Sequence, residues 1–288
     1  MAAAKTAVRR YPGNSETSDA LAVEEPLEIV LDFVSDGEQV SRTAAITMRT
    51  PGDDADLARG FLFTEGIIRA ADEIADISQS EDTPNSVQIV LQNHVDVNLQ
   101  TLERHFYTTS SCGVCGKTSI DALTAVATYA VEESGLRLTP EALLNSPEQV
   151  AAAQSTFGQT GSTHAAALFD AEGQLLFLAE DVGRHNALDK LLGRAMAEGL
   201  LPLHRHWIFL SGRASFELVQ KARMAACPLV AAVGAPSSLA VDLAWEGGMT
   251  VVGFLRDGRF NVYSSPFRLV DQTVDQTVDK IAGEVAGN

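Results

Sequence analysis

The chain has 288 residues, of which 45% are hydrophobic and 20% charged, and this composition suits one large or two modest globular domains. A formal net charge of -17 argues against nucleic-acid binding, which needs a basic surface, but leaves room for one anionic ligand in a locally basic pocket. The chain has three cysteines, no recognisable secretory signal and no apolar run of the roughly 18 residues that cross a membrane. It is therefore expected to be cytoplasmic, with reduced thiols and no membrane contact.

The first 107 residues divide by composition into a tail and a small β-rich part. Residues 1–25 are rich in alanine, serine and charged side chains, which predicts a flexible tail. Residues 26–107 predict a small α+β part, because short apolar strands flank one helix. Its predicted elements are strands at Leu27–Val34 and Ala45–Arg49, a helix at Ala55–Thr64 and a hairpin of Val87–Leu91 with Val95–Val97.

The predicted helix at Ala55–Thr64 has signals at both ends. Asp53 or Asp54 is expected to cap its start, because a short acceptor side chain satisfies the free backbone N–H groups there. Gly66 lies just after the last apolar residue and is placed to end the helix.

A Cys-x-x-Cys pair marks the start of the larger part of the chain. The segment Ser110–Lys117 has the sequence SSCGVCGK and holds Cys112 and Cys115. Helical periodicity follows over 117–130, so the loop is expected at the positive end of a helix dipole. That position, together with Lys117, lowers the pKa of a thiol and favours the nucleophilic thiolate.

Residues 108–288 predict an α/β domain with a mixed sheet and helices on both faces, because strands and helices alternate there. A helix at Pro140–Ala153 with Thr139 as its cap precedes the alternating part. The predicted strands are Ala165–Phe169, Leu175–Ala179, Trp207–Leu210, Leu229–Val233, Met249–Leu255 and Arg259–Tyr263, and helices are predicted to end near Ala197, Ala225 and Trp245.

The loops that follow the predicted strands carry residues suited to an anion. In such sheets ligands bind beyond the carboxyl ends of the strands. Small residues, hydroxyl groups and arginines there suit a phosphate, through backbone N–H groups and bidentate guanidinium contacts. The residues are Arg184, His185, Ser211, Arg213, Gly234, Ser237 and Ser238. No G-x-x-x-x-G-K-[ST] loop is present, so a P-loop nucleotidase is excluded.

The residues alone leave three roles open for the cysteine pair. A structural zinc site needs about four ligands, and the zinc deaminases combine Pro-Cys-x-x-Cys with an upstream His-x-Glu. Here Ser111 precedes Cys112 and His164 lacks the glutamate, so zinc deamination is disfavoured. A thioredoxin-like dithiol fits locally but leaves the anion-binding loops unexplained, while a persulfide carrier needs one thiolate on an accessible loop. The third cysteine, Cys227, lies in an apolar run and is assigned to the core.

Seven collinear segments resemble the FdhD family, the sulfur carrier proteins required for formate dehydrogenase activity. Together they span nearly everything after residue 25. They are RTPGDDADLARGFLFTEGII (Arg49–Ile68), SSCGVCGK (Ser110–Lys117), STHAAALFD (Ser162–Asp170), EDVGRHNALDKLLG (Glu180–Gly193), SGRASFELVQKA (Ser211–Ala222), GAPSSLAVDLA (Gly234–Ala244) and GFLRDGRFNVY (Gly253–Tyr263).

The resemblance implies a function, partners and a fold. Such proteins accept sulfur from a cysteine desulfurase as a cysteine persulfide. They transfer it to the molybdenum cofactor, in its bis-molybdopterin guanine dinucleotide form, before the cofactor enters formate dehydrogenase. They are cytoplasmic homodimers, and their larger domain resembles the cytidine deaminase fold without its zinc. The resemblance therefore implies no metal site in this chain.

The resemblance also carries residue roles onto this sequence. Cys112 matches the persulfide cysteine and Cys115 the second cysteine of the motif. The segment Phe254-Leu255-Arg256-Asp257-Gly258-Arg259 matches the part that contacts the cofactor.

Residue chemistry adds hypotheses beside these implied roles. Arg184, Arg213 and Arg259 are candidates for the phosphates, and Phe254 is a candidate to stack on a guanine or pterin ring. His185 is either a ligand contact or a helix cap.

Three classes of function remain to be separated by experiment. A sulfurtransferase requires Cys112. A chaperone that delivers the molybdenum cofactor without sulfur chemistry requires Arg259 but neither cysteine. A thiol redox protein requires Cys112 and Cys115 equally.

Overall fold

The computed structural model of the protein describes residues 2–97, 129–131 and 135–270. Within these ranges twelve strands form three sheets, and six α-helices accompany them. Short 3-10 helices lie at Ala71–Glu73 and Pro266–Arg268. No helix in the described part of the chain is both long and apolar enough to cross a membrane.

The largest sheet has six strands, in the order β12-β11-β10-β9-β7-β8. Strands β9, β10 and β11 are parallel, whereas β7, β8 and β12 join the sheet in antiparallel pairs. The predicted mixed sheet is therefore confirmed. Its strands are β7 (His164–Phe169), β8 (Leu175–Asp181), β9 (Trp207–Leu210), β10 (Leu229–Ala232), β11 (Thr250–Arg256) and β12 (Arg259–Val262).

Helices cover both faces of this sheet, as predicted. Because side chains alternate across a strand, Ile208 and Leu210 join one buried cluster while Trp207 and Phe209 join another. The first cluster includes residues of α4, α5 and α6, and the second includes residues of α2. These helices are α2 (Pro140–Ala153), α4 (Arg184–Ala197), α5 (Phe216–Met224) and α6 (Ser238–Glu246), and a one-turn helix α3 (Ser155–Thr160) follows α2.

A four-stranded sheet forms the N-terminal layer, in the order β4-β3-β6-β5. Its inward side chains on β3 are Leu27, Ile29, Leu31 and Phe33, all buried. They share one hydrophobic cluster with α1 and with the helices of the six-stranded sheet. The strands are β3 (Glu25–Ser35), β4 (Glu38–Arg49), β5 (Ile74–Ser78) and β6 (Ser86–Leu91), and α1 spans Asp54–Thr64.

Three sequence predictions for the N-terminal part are not confirmed. The segment predicted as a flexible tail forms a hairpin of β1 (Ala3–Arg10) and β2 (Ser15–Ala22), whose pairing and contacts with α3 are not encoded in local composition. Strand β6 pairs with β5 and β3, and 95–97 is not a strand, so the predicted hairpin at Val87–Val97 is wrong. Asp53 precedes α1 in a left-handed conformation and forms no side-chain cap, and the carboxylate of Asp54 binds Arg49 instead.

All but the last two residues of the helix predicted over 117–130 lie outside the described residues, and so does the domain boundary predicted after residue 107. Two local predictions are confirmed at α2, which begins at Pro140 with Thr139 accepting a hydrogen bond from the Ala142 backbone N–H. Cys227 is fully buried, as predicted.

Candidate functional site

Three helices begin at one edge of the six-stranded sheet. Strands β8, β9 and β10 all end there, because β8 runs antiparallel to β7, and β7 antiparallel to β9. Helices α4, α5 and α6 start a few residues after these strands. Each helix start carries backbone N–H groups that have no partner within the helix and the positive end of a dipole, so this edge favours an anion. At the start of α6, Ser237 Oγ accepts a hydrogen bond from one of these groups, the Ala240 backbone N–H.

A buried carboxylate shapes the turn that leads into α4. Asp181 is fully buried and accepts hydrogen bonds from the Gly183 backbone N–H at 2.8 Å and the Thr50 backbone N–H at 3.0 Å. Lys190 pairs with the same carboxylate at 2.9 Å and donates to the Thr50 carbonyl at 2.8 Å. These contacts fix the turn that carries Arg184 against the N-terminal layer.

Arg184 and His185 occupy the first turn of α4 and are partly buried. Arg184 Nε and His185 Nε2 are buried atoms with no hydrogen-bond partner among the described residues. Burial, followed by the positive charges of Lys221 and Arg184, lowers the pKa of His185 to about 3. The imidazole is therefore neutral near pH 7, and both side chains keep polar atoms available for a ligand.

A second buried ion pair lies beneath His185. Lys221 Nζ, on α5, is 2.8 Å from Asp189 Oδ2 and donates to Thr64 Oγ1 at 2.8 Å. Burial alone would lower the pKa of Lys221, but Asp189 and Glu65 outweigh it and raise the pKa. Lys221 is thus a fixed positive charge under the site, which sequence reasoning did not single out.

The loop after β9 carries Ser211 and Arg213. Ser211 Oγ accepts a hydrogen bond from the Ala165 backbone N–H at 2.8 Å, which ties the loop to β7. A Cβ at Gly234 would lie 3.0 Å from Arg213 Cγ, so the loops after β9 and β10 are closely packed. Arg213 itself is exposed at this edge and forms no ion pair with another residue that the structure describes.

The segment Phe254–Arg259 turns from β11 into β12 beside the same loops. Phe254 has a left-handed φ of 53°, and its backbone N–H donates to the Gly234 carbonyl at 3.1 Å. A left-handed conformation at a non-glycine residue is frequent at functional sites. The Arg256 guanidinium carbon lies 5.7 Å from the centre of the Phe254 ring.

The members of this segment differ in what they offer a ligand. Arg256, Asp257, Gly258 and Arg259 are exposed, whereas Leu255 is fully buried in the core. The side chain of Leu255 is therefore positioned for packing, and only the other members present side chains or backbone to solvent.

The structure brings the predicted anion-binding residues to one edge of the six-stranded sheet. Cys112 and Cys115 lie outside the described residues. Within the described ranges, no three histidine, cysteine, aspartate or glutamate residues are grouped so that they could hold a metal ion. His164, which starts β7 beside Gly212, joins the edge because β7 is antiparallel to its neighbours.

Comparisons with known proteins match most of the chain. The model of the FdhD/NarQ family matches residues 22–270. A protein of Streptomyces avermitilis named sulfur carrier protein FdhD is 50% identical over 263 residues, which cover 88% of this chain and 90% of the relative. One of Saccharolobus solfataricus with the same name is 38% identical over 252 residues, covering 88% and 91%.

A solved structure has the same overall architecture. It is a crystal structure from Desulfotalea psychrophila, described as that of a candidate formate dehydrogenase accessory protein. It superposes with a TM-score of 0.72 at 25% identity, over 93% of this chain and 98% of that one. The chain belongs to the FdhD/NarQ family.

Proposed function

We propose that this protein is a sulfur carrier that serves formate dehydrogenase. It takes sulfur from a cysteine desulfurase as a persulfide on Cys112 and transfers it to the molybdenum cofactor in its bis-molybdopterin guanine dinucleotide form. The observation that carries the proposal is the 38–50% identity, over most of the chain, to proteins named sulfur carrier protein FdhD. The Cys-x-x-Cys segment supplies the chemistry.

Two thiols are sufficient for the proposed sulfur-transfer steps to balance in atoms and electrons. The Cys112 thiolate attacks the outer sulfur of the donor persulfide, a new S–S bond forms, and the donor leaves as a thiolate with no net oxidation. The Cys115 thiolate then attacks Cys112 Sγ. The outer sulfur departs to the cofactor as sulfide, and the two cysteines become a disulfide. A dithiol reductant restores them for the next cycle.

The sheet edge supports the cofactor part of the proposal. The carried cofactor bears phosphates, and the edge offers three helix starts, the exposed Arg213 and Arg259, and buried unpaired atoms of Arg184 and His185. Such groups bind phosphate oxygens through charge-assisted hydrogen bonds. This positive edge lies on a protein whose formal net charge is -17, so its charge is local.

Intact-protein mass spectrometry tests the sulfur step. The full chain and its Cys112→Ala variant are incubated with an active cysteine desulfurase and cysteine. We expect the wild type to gain the mass of one sulfur atom, to lose it on reduction, and the variant to gain nothing. Cys115→Ala is expected to accept sulfur and to release it slowly, because the second thiolate that expels sulfide is missing.

An unmodified wild-type protein beside an active desulfurase would contradict the sulfur-carrier proposal. A chaperone that only delivers the cofactor then becomes the better description, and it predicts that Arg259→Ala, and neither cysteine variant, abolishes maturation of formate dehydrogenase. Equal need for both cysteines, with activity on generic disulfides, would instead indicate a thiol redox protein.

Three accompanying predictions belong to the proposal. We infer that the protein acts in the cytoplasm and as a homodimer, and that its larger part resembles the cytidine deaminase fold without zinc. Mass measurement in solution tests the dimer.

A further inference from the structure

A cavity of about 570 Å³ lies in the N-terminal layer, between the hairpin of β1 and β2 and the four-stranded sheet. Its walls come from β1, the start of β3, the end of β4, the start of α1 and the loop between β5 and β6. Small-molecule sites commonly enclose about 300–1,000 Å³, so its size suits one small ligand. None of the anion-binding residues named above lines this cavity, so it is separate from the edge of the six-stranded sheet.

A buried arginine lines the cavity and is only partly paired. Arg49 is 1% exposed, and its Nε and Nη2 atoms each bind one oxygen of the Asp54 carboxylate at 2.9 Å. Nη2 also donates to Asn85 Oδ1 at 2.9 Å. The third nitrogen, Nη1, is buried and forms no hydrogen bond with any residue that the structure describes. Leaving such a donor unpaired costs free energy, so its place in a cavity wall favours an acceptor on a bound molecule.

The Asp54 carboxylate balances the charge of Arg49. Its Oδ2 atom also accepts a hydrogen bond from Gln79 Nε2 at 3.0 Å. Burial alone would raise the pKa of Asp54, but the hydrogen bonds from Arg49 and Gln79 outweigh burial and lower it. Asp54 is therefore ionised near pH 7, and both of its oxygens are occupied.

Two further side chains of opposite charge line the cavity, Glu25 and Lys5. Glu25 Oε2 is 3.5 Å from Arg49 Nη1, which is longer than an ordinary hydrogen bond, and the Glu25 side chain is 46% exposed. Lys5 is exposed and forms no ion pair with another described residue. Since Arg49 and Lys5 balance Asp54 and Glu25, the cavity has no net charge. It therefore suits a ligand that carries both signs better than a simple anion.

The rest of the cavity wall is largely apolar. It is formed by Ala3, Ala4, Val23, Pro51 and Pro84. The β1 part of this wall precedes residues 22–270, which the family model matches, so that model does not describe the whole cavity. A ligand bound here would contact apolar surface on one side and the Arg49 and Glu25 charges on the other.

We propose that this cavity binds a free, zwitterionic α-amino acid with an apolar side chain. Arg49 Nη1 donates to the α-carboxylate, Lys5 adds a second positive charge beside it, and Glu25 accepts from the α-ammonium. An α-amino acid carries both charged groups on one carbon atom, so a carboxylate at Nη1 places the ammonium next to Glu25. The apolar walls take up the side chain. This binding goes beyond the sulfur-carrier function and does not rest on it.

Calorimetric titration of the full chain with four separate ligands tests the proposal. The ligands are L-leucine, isocaproate, which is leucine without its ammonium group, isoamylamine, which is leucine without its carboxylate, and L-alanine. We expect leucine to bind at least about tenfold more tightly than isocaproate or isoamylamine, because each analogue leaves one charged partner in the site unpaired. Alanine should also bind at least about tenfold more weakly, because it leaves the apolar walls unfilled.

Two variants and one matched control connect the binding to this cavity. Glu25→Gln removes the partner of the ammonium, so we expect leucine to bind about tenfold more weakly and isocaproate to bind as it does to the wild type. A general disturbance of the fold would weaken both. Val23→Phe fills the space and should abolish binding, with thermal unfolding as the check that it folds. Glu24→Gln makes the same change at the neighbouring exposed residue, which does not line the cavity, and should bind leucine like the wild type.

Three results would overturn the inference. They are no binding at millimolar leucine, binding of isocaproate or isoamylamine as tight as that of leucine, and leucine binding that Glu25→Gln leaves unchanged. These results leave the sulfur-carrier proposal intact, because loading of Cys112 by the desulfurase does not require this cavity. Conversely, a chain that binds leucine as expected but accepts no sulfur would keep the amino-acid site and reject the carrier.

Discussion

The surroundings of His185 determine the protonation state of its side chain. The ring lies in the first turn of α4, with Nε2 buried, and the positive charges of Lys221 and Arg184 are close. Both burial and these charges disfavour the imidazolium form. His185 is therefore held neutral in the folded protein, although it can gain a proton freely once the chain unfolds.

This difference predicts how stability depends on pH. The folded pKa of His185 is about 3 and its ordinary value is 6.5, so the unfolded chain binds the proton first as pH falls. The contribution of neutral His185 is fully present above pH 6.5 and is lost progressively as pH falls toward 3. Between about pH 6.5 and 5 the free energy of unfolding should fall by at most about 2 kcal/mol from this residue.

Urea unfolding at several pH values measures this effect. We expect His185→Gln to lose less stability than the wild type between about pH 6.5 and 5, because glutamine cannot take up the proton. His94→Gln, at an exposed position, is the matched control and should follow the wild-type curve. Parallel curves for His185→Gln and the wild type would show that the buried ring is not held neutral.

The ion pair of Lys221 and Asp189 joins three helices. Lys221 lies on α5, Asp189 on α4, and Thr64 ends α1 while bonding to both side chains. Replacing Lys221 by methionine leaves the Asp189 carboxylate buried without its cation. We expect the free energy of unfolding to fall by about 3–5 kcal/mol, as measured by urea denaturation.

Two comparisons separate this effect from ordinary loss of a surface charge. Arg9→Ala breaks the exposed pair with Glu16 in the N-terminal hairpin and should cost less than about 1 kcal/mol. The double variant Lys221→Met with Asp189→Leu removes both charges and should recover much of the lost stability. A double variant no more stable than Lys221→Met would mean that packing, and not the unpaired charge, dominates.

The elements predicted most accurately are those whose signals are local. Helix α2 begins and ends where Thr139 and the apolar periodicity of 140–153 place it, because cap and helix are neighbours in sequence. The N-terminal hairpin instead packs against α3, which is far from it in sequence, and the missing cap at Asp53 accompanies the tertiary pairing of Asp54 with Arg49. Strand β5 escaped prediction for the same reason, since its pairing with β6 is not visible in its own five residues.

In the candidate site too, the residues with local sequence signals were predicted and those that depend on distant contacts were not. The order of strands and helices predicts that Arg184 and Ser211 lie at the carboxyl edge of the sheet, and they do. His164 and Gln154 could not be placed near Ser211 from sequence. They line the same cavity as Ser211 because β7 pairs antiparallel with β9 and because Glu180 accepts hydrogen bonds from the backbone of α3. The burial of Lys221 could not be predicted from its own segment, because its partners Asp189 and Thr64 lie on α4 and α1.

At the scale of the whole molecule, two helices join the N-terminal layer to the six-stranded sheet. Helix α1 crosses α4 where Gly60 faces Gly193, and the backbones approach closely there. A Cβ at Gly60 would overlap the carbonyl oxygen of Asp189, and one at Gly193 would overlap that of Asp56. The crossing also sets the position of Asp189 relative to Lys221 and Thr64. The buried ion pair beneath His185 therefore depends on it.

Gly60→Ala tests this crossing. Alanine has the higher helix propensity, by up to about 1 kcal/mol, so an isolated helix would gain stability. Here the added methyl group meets backbone, which cannot rotate away, and we expect a net loss of about 3 kcal/mol or more in the free energy of unfolding. Gly158→Ala in α3 is the matched control, because a Cβ there meets nothing within 4 Å, and it should be neutral or slightly stabilising. If Gly60→Ala proves as stable as Gly158→Ala in urea denaturation, α1 and α4 are not in backbone contact. The two layers would then be held together by their side chains alone.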